Sequence, residues 1–418
     1  MSDRMLKRLF WAAGGVLLLV GLVGWYTRLA HGLEPTNFGS IVTWGLWVGV
    51  YIYFIGLSAG SFLISSLVYV FNVKRFEPIG RTALFTAVVT LFMALLVTWA
   101  DIGHMERAWE VYAYPNFRSP MAWMLFLYTA YFILILAELW LVVRRDLVVG
   151  AREGGFRGGL YRVLSFGSKA DSDQSAARDR RVVRVLGTIG VPVAVLFHGG
   201  VGALFGVVAA RPGWNSGLFP IMFLLSALTS GGALLLFVGA VFQDGWHHNR
   251  ETIVALGSLV LALLVVDVIL QGAEILVAAY GSVPGHVEPL KLIVSGPYWW
   301  VFWFWQLGIG IIVPIVLLAS RRTRTNARWV SLAGLLIAIG FIGVRLNIVI
   351  PVMATEEVKG LGRAIASHRI STSYFPSLTE WLLAAGVFGI GFLLFGLGET
   401  FMPRGRRDED EGREHVPV

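Results

Sequence analysis

The sequence contains no cysteine, and few of its residues carry a charge. Of 418 residues, 14% are charged and 56% are hydrophobic, with no glycine period, whereas an average soluble domain has about 25% charged residues. Without cysteine the chain can neither form a disulfide nor ligate an iron–sulfur cluster. Disordered, collagen-like and disulfide-rich classes are therefore excluded. The composition is typical of an all-α polytopic membrane protein.

Ten apolar stretches are each close to the length of about 20 residues that crosses the hydrocarbon core. The predicted transmembrane helices are residues 10–26, 44–71, 82–103, 119–143, 185–209, 218–242, 253–280, 298–318, 329–351 and 380–402. The first stretch follows a basic segment, as in a signal peptide, but no small-residue cleavage site follows it. We therefore expect it to be retained as a helix.

Lysine and arginine concentrate on one side of these predicted spans. With the N-terminus inside, the inside segments hold 25 of the 34 basic residues and the outside loops hold eight. The positive-inside rule then predicts that both termini are cytoplasmic. The net charge of +8 reflects topology, and no nucleic-acid partner is expected. The basic loop 144–184 is predicted to be a flexible connection, and the charged tail 403–418 to be disordered.

Spans 2–5 and spans 6–9 resemble two copies of one unit. Residues 58–63 read SAGSFL and residues 230–234 read SGGAL, while Asp101 and Asp267 lie in corresponding spans. The pattern predicts two parallel-repeat four-helix bundles flanked by spans 1 and 10. The predicted segments are an N-terminal flanking helix (1–37), a first bundle (38–212), a second bundle (213–352), an outer loop with the tenth helix (353–402) and the tail (403–418).

Ionisable residues at membrane depth are costly and mark functional sites. Asp101 and His104 are three positions apart and are expected to share one helix face at the outer end of span 3. A carboxylate and an imidazole near water can exchange protons, so this pair is the predicted catalytic pair.

A second polar group lies in the second bundle. Asp267, Gln271 and Glu274 form an i, i+4, i+7 stripe, and Arg345 needs a partner in the same bundle. Two interpretations remain open: a structural ion-pair network and a proton path.

His198 lies in the outer half of span 5 and has three interpretations. It could ligate a haem, but a six-coordinate haem needs two facing imidazoles and His104 is the other candidate within the spans. A packing histidine or the wall of a quinone pocket is the preferred interpretation. In the outer loop, Ser119 and Pro120 predict a helix start with serine as N-cap.

These residues resemble the signature of a known family. Residues 101–109 (DIGHMERAW), 116–123 (NFRSPMAW) and 56–62 (GLSAGSF) are similar to the motifs of the NrfD/PsrC family of polysulfide-reductase-like membrane subunits. The ten-span length, with HGGVG at 198–202, WNSGLFP at 214–220 and RLN at 345–347, resembles its longer branch. That branch includes the hydrogenase-2 membrane subunit, the DsrP type and the alternative complex III subunits.

The resemblance implies a quinone-reactive subunit of a respiratory complex in a bacterial or archaeal inner membrane. Menaquinone or ubiquinone would react at the outer side of the first bundle. The implied partners are an outer-side, ferredoxin-like iron–sulfur subunit and a further catalytic subunit, namely a molybdopterin enzyme, a hydrogenase or a multihaem cytochrome. The expected quinone-binding residues, besides Asp101 and His104, are Tyr51, Gly60, Ser61, Arg107, Trp109, Arg118, Ser119, Met121, Trp123 and His198.

Two rival functions belong to other classes of protein. The parallel repeat and the midplane acids would suit a secondary transporter or a proton-translocating channel, but no paired mid-span helix break is visible. A b-haem cytochrome anchor would need an imidazole pair, and we expect neither haem nor another metal in this chain.

Overall fold

The computed structural model describes residues 3–168, 171–243, 246, 249–356, 358, 360–365 and 370–403. It contains ten helices that are long and apolar enough to span a membrane, which confirms the predicted number. We number them α1 (Asp3–His31), α2 (Leu46–Tyr69), α3 (Glu77–Asp101), α4 (Pro120–Gly150), α5 (Asp173–Gly206), α6 (Phe219–Phe242), α7 (Arg250–Gly281), α8 (Val301–Ala319), α9 (Ala327–Met353) and α10 (Leu378–Phe401). The predicted tail lies outside the described residues from position 404 onward.

The helices form two rings of four around a shared interface. In the first ring α2, α3, α4 and α5 pack in cyclic order, and in the second α6, α7, α8 and α9 do the same. Helix α2 lies at the centre, because it also packs against α6 and α9 and is buried along almost its whole length. The relation of the two rings by an internal repeat stays a prediction.

The first and last helices pair with each other and pack on the first ring through α10 and α3. Glycines bring the two backbones into contact: a Cβ added at Gly21 would lie 2.0 Å from the Cα of Gly386, and one at Gly24 would lie 2.3 Å from the amide nitrogen of Leu383. Small residues are the usual means by which helices approach closely in lipid. The close packing of α1 against α10 therefore requires glycine at these positions, because any side chain there would clash with the opposite helix.

The basic segment 144–184 is mostly helical, so its interpretation as a flexible connection is wrong over most of its length. Helix α4 continues to Gly150, a short helix covers Gly155–Leu164, and α5 begins at Asp173. Ion pairs hold this part together, since Arg144 forms a two-pronged contact with Asp179 at 2.9 and 2.6 Å. Residues of opposite charge in this segment pair with each other and stabilise the helices. Composition shows only that the segment is polar.

Two irregular elements shape the second ring. The first twelve residues of α8, Val301–Ile312, form a π-helix, a rare conformation that is frequently found at functional sites. A short helix, Pro284–Val294, precedes it and packs against α7, α8 and α9. Both elements border the cavity described below.

Candidate functional site

Asp101 is the last residue of α3 and is half-buried. The adjacent end of α3 is held by Arg28 of α1, which is buried and donates from Nε to the Ala100 carbonyl at 2.8 Å and from Nη2 to the Ile102 carbonyl at 2.6 Å. Carbonyls at a helix C-terminus lack partners within the helix, and a cation there also complements the helix dipole. Arg28 therefore fixes the position from which the Asp101 side chain projects.

Two tyrosines lie on the bundle side of this carboxylate. Tyr51 of α2 lies within electrostatic range of Asp101, and Tyr128 of α4 lies within range of Tyr51. The Tyr128 hydroxyl is buried, and Thr98 of α3, one turn before Asp101, is its neighbour for a side-chain hydrogen bond. Its ring packs edge-on against Phe197 with centroids 4.5 Å apart. A phenolic hydroxyl can donate one hydrogen bond and accept another, so Tyr128 can contact Thr98 and also a ligand at the end of α3.

Glu380 of α10 also lies within electrostatic range of Asp101. Glu380 accepts hydrogen bonds from the hydroxyl of Tyr374 and from the backbone N–H of Asn37, the latter at 2.9 Å. Burial and the nearby Glu380 carboxylate raise the pKa of Tyr374. Tyr374 therefore keeps its proton and donates it to Glu380, while its oxygen accepts from the backbone N–H of Leu46 at 2.9 Å.

His104 does not share a helix face with Asp101, so that expectation is wrong. Helix α3 ends at Asp101, and Ile102 has an extended backbone that carries the chain away. The His104 ring is largely exposed and pairs with Glu106, Nδ1 to Oε1, at 2.9 Å. A backbone hydrogen bond and the contact with His104 lower the pKa of Glu106. The three-residue spacing could not reveal this, because it assumes that the helix continues.

The other predicted residues between α3 and the first turn of α4 form an exposed surface that follows Asp101 in the chain. Trp109 is 60% exposed and Trp123 is 54% exposed, with the Trp123 indole N–H donating to the Phe117 carbonyl at 2.8 Å. Helix α4 begins at Pro120 with Ser119 at the N-cap position, as predicted, although the Ser119 side chain makes no cap hydrogen bond. The remaining exposed members of this surface are Arg107, Arg118 and Met121.

Gly60 and Ser61 are buried at the contact between α2 and α6. A Cβ added at Gly60 would lie 2.0 Å from the Ala227 carbonyl oxygen and 2.9 Å from the Cα of Gly231. This close packing favours the structural interpretation of the glycine. The Ser61 hydroxyl is buried and has no partner among the described residues.

In the second ring, side chains from three helices form one hydrogen-bond chain. Asn347 of α9 donates to Gln306 of α8 at 2.7 Å, and Gln306 donates to Gln271 of α7 at 2.9 Å. Gln271 in turn donates to Oδ2 of Asp267 at 2.6 Å. The i, i+4 spacing predicted the last contact, but not Gln306 or Asn347, which are uncharged and far away in sequence.

Arg345 lies beside this chain and is almost completely buried. It is within electrostatic range of Asp267, and its guanidinium lies over the Phe223 ring at 4.9 Å. Arg345 Nη2 and Asp267 Oδ1 each have no hydrogen-bond partner among the described residues. His198 is completely buried nearby, with its ring 6.2 Å from that of Phe223, whose backbone is the neighbour of the imidazole for a hydrogen bond.

A cavity of about 150 Å³ lies next to these groups, and we call it the Asp267 cavity. Glu274 lines it one turn beyond Gln271 and accepts a hydrogen bond from Ser216 at 3.1 Å. The predicted stripe on α7 thus faces one common space. Apolar walls come mainly from Phe219, Met222, Phe223, Ile275, Phe302 and Ile348.

Several residues around Asp101 were not predicted. Arg28, Tyr374 and Glu380 lie at the ends of spans or in a loop, where a charged or polar residue is unremarkable. Tyr128 is an ordinary aromatic residue of an apolar helix. The signal that could have found Glu380 is the SLTE motif at 377–380, whose capping box is present in the structure.

The fold and these polar groups define a class: a polytopic helical membrane protein that carries carboxylates and tyrosines inside its helix rings. Comparison with known families makes the assignment specific. Residues 34–357 match the family described as Polysulphide reductase, NrfD, and the chain belongs to this family. Helices α1 and α10 lie outside the matched residues.

Three relatives match over almost the whole chain. The chain is 37% identical over 417 residues to the C subunit of the selenate reductase of Mesobacillus selenatarsenatis, covering 98% of this chain and 97% of the relative. It is 31% identical to the membrane subunit of a putative dimethyl sulfoxide reductase of Halobacterium salinarum, covering 94% and 91%. It is 29% identical to the Hdr-like menaquinol oxidoreductase integral membrane subunit of Archaeoglobus fulgidus, covering 92% and 90%.

Proposed function

We propose that this protein is the quinone-reactive membrane subunit of a respiratory oxidoreductase complex. It exchanges electrons between membrane quinol or quinone and an outer-side iron–sulfur subunit, which connects it to a further catalytic subunit. The names of two relatives, a menaquinol oxidoreductase subunit and a menaquinone reductase subunit, favour menaquinone over ubiquinone as the substrate.

The observation that carries the proposal is the group at the end of α3. Asp101 ends α3 at the start of an exposed loop, Tyr51 lies within electrostatic range of it, and the buried Tyr128 hydroxyl lies within range of Tyr51. A quinol needs one group that accepts a proton and another that bonds its ring oxygen. Asp101 supplies the first and Tyr128 supplies the second.

Quinol oxidation releases two protons and two electrons. Asp101 accepts the two protons one after the other and releases each to water at the partly exposed end of α3, where the exposed His104–Glu106 pair follows in the chain. Arg28 holds the end of α3 through two hydrogen bonds, which keeps Asp101 in place during turnover. The electrons pass to the partner, since a chain without cysteine holds no iron–sulfur cluster of its own.

The exposed outer loop is the proposed docking surface for the iron–sulfur subunit. It combines aromatic rings with arginines, the residue types that are enriched at protein interfaces. Its members are Arg107, Trp109, Tyr114, Phe117, Arg118 and Trp123. This assignment places the loop on the outer side of an inner membrane and both termini in the cytoplasm, in agreement with the distribution of lysine and arginine.

The polar group in the second ring is proposed to exchange protons. Asp267 and Glu274 are its acids, Gln271 connects to Asp267, and Arg345 balances their charge. Both acids line the shared cavity.

The test is quinol oxidation by membranes that contain the complex. Asp101→Asn is expected to lower turnover about 100-fold, the low end of the range for general acid–base groups, and His104→Ala to lower it less. Glu34→Gln, which changes an exposed carboxylate at the same end of the bundle, is the matched control. Unchanged turnover in both site variants would refute the assignment. Solute uptake by proteoliposomes of the chain alone would favour the transporter alternative.

A further inference from the structure

We propose that the Asp267 cavity is a second binding site, for the ring of an isoprenoid quinol, separate from the site at Asp101. The proposal rests on the proposed function only in taking quinol as the amphiphile that this membrane supplies. It concerns binding and assigns no electron transfer to the cavity.

Arg345 and Asp267 line the polar end of the cavity, and each side chain has one atom without a hydrogen-bond partner among the described residues. These atoms are Arg345 Nη2 and Asp267 Oδ1, and both are buried. A buried group without a partner loses about 1–3 kcal/mol. A phenolic hydroxyl both donates and accepts, so a quinol hydroxyl suits a site that offers a guanidinium and a carboxylate.

The amide chain orients Asp267 for such a ligand. Gln306 and Gln271 each donate toward Asp267, so the Oδ2 atom is occupied and Oδ1 remains free among the described residues. Carboxamides neither gain nor lose protons near neutral pH. This side of the cavity is therefore built to hold a carboxylate in a fixed orientation, and the π-helical start of α8 supplies Gln306.

The apolar part of the cavity fits a ring with a tail. A cavity of about 150 Å³ in a protein core is known to bind benzene, and Phe223 and Phe302 provide flat walls here. Ile275 and Ala278 of α7 also line the cavity, while the adjacent Leu276 and Val277 are 58% and 68% exposed. An isoprenoid tail can thus leave between α7 and the short helix Pro284–Val294 toward lipid.

The first experiment measures binding stoichiometry. The full chain in lipid nanodiscs is dialysed against a decyl-tailed benzoquinol, and bound quinol is quantified after extraction. Two molecules per chain are expected. Ala278→Phe fills the cavity and is expected to leave one, whereas Val277→Phe adds the same ring on the exposed side of α7 and is expected to leave two. Two bound molecules per chain in Ala278→Phe would overturn the proposal. So would a single bound molecule per chain in both wild type and Ala278→Phe.

Asp101→Asn distinguishes this proposal from the proposed function. If the cavity binds quinol, Asp101→Asn retains the molecule that Ala278→Phe removes. If the cavity binds quinol but the site at Asp101 does not, wild type and Asp101→Asn each bind one molecule, and Ala278→Phe abolishes binding. A single molecule that is lost in Asp101→Asn alone would mean that the cavity holds water.

A second experiment does not depend on the folding of a variant. An azido derivative of the same benzoquinol is photolysed with the wild-type chain, and labelled peptides are identified by mass spectrometry. Label on residues 271–293, removed by excess unmodified quinol, is expected. Label confined to the ends of α3 and α4 would refute the second site.

Discussion

Replacing Arg28 should loosen the end of α3 that carries Asp101. The variant Arg28→Met keeps most of the side-chain length and removes donors that bond the carbonyls of Ala100 and Ile102 at 2.8 and 2.6 Å. A hydrogen bond to a charged group contributes about 1.5–3 kcal/mol. One of the two bonds is buried and the other is partly exposed, so we expect a local loss of about 3 kcal/mol.

Hydrogen exchange gives the direct measurement. A loss of about 3 kcal/mol corresponds to about a 100-fold loss of protection in the last turn of α3, including the Ile102 amide that bonds the Thr98 carbonyl. Quinol turnover should fall at the same time, because Asp101 is displaced. Arg8→Met, on an exposed position of the same helix, is the control. Equal exchange in Arg28→Met and Arg8→Met would refute the role assigned to the guanidinium.

Three further predictions concern stability, measured by thermal unfolding in detergent. Gly21→Ala should destabilise the α1–α10 pair by about 1–3 kcal/mol through overpacking, whereas Gly15→Ala, with nothing within 4 Å of the added Cβ, should not; equal effects would contradict the glycine contact. Arg144→Gln should lower the free energy of unfolding by about 2–3 kcal/mol, because it leaves a largely buried aspartate unpaired. Arg145→Gln should lower it by less than about 1 kcal/mol, because the partner of Arg145 is 95% exposed. Glu138 is buried with both oxygens unpartnered among the described residues, so Glu138→Leu should stabilise by about 1 kcal/mol or more; destabilisation would reveal a hidden partner.

The number of spanning helices was predictable because hydrophobic length is a local property. The apolar residues of each span are contiguous in the sequence, and the bilayer thickness sets the required length. The segment 144–184 shows the limit of that argument. Its glycine, serine and charge suggested a flexible loop, but Arg144 and Asp179 are 35 positions apart and their pairing joins two helices. Composition does not show which charged residues pair with each other.

The same limit applied to the site. Asp101, Asp267 and Arg345 could be singled out, since any charge in an apolar helix is unusual. Their surroundings could not be predicted, because they include neutral residues: Tyr128 contributes a buried hydroxyl, and Gln306 bridges two helices. The error over His104 had a different origin. Helical spacing was applied to His104, three residues beyond Asp101, where α3 ends. The carbonyl of Ala100 at that end is bonded by Arg28, a residue 73 positions before Asp101 in the chain.

Two charged residues near Asp101, Arg28 and Glu380, belong to the helices that flank the two rings. The family match covers residues 34–357, yet Arg28 belongs to α1 and Glu380 to α10, and both lie within electrostatic range of Asp101. One carries a positive charge and the other a carboxyl group, so they act on the Asp101 charge in opposite directions. Because α1 and α10 pack as a pair on α3, a movement of the pair changes both influences together. The flanking helices therefore contribute to the proposed proton-accepting site, and a chain reduced to the matched residues would retain Asp101 without these two charged neighbours.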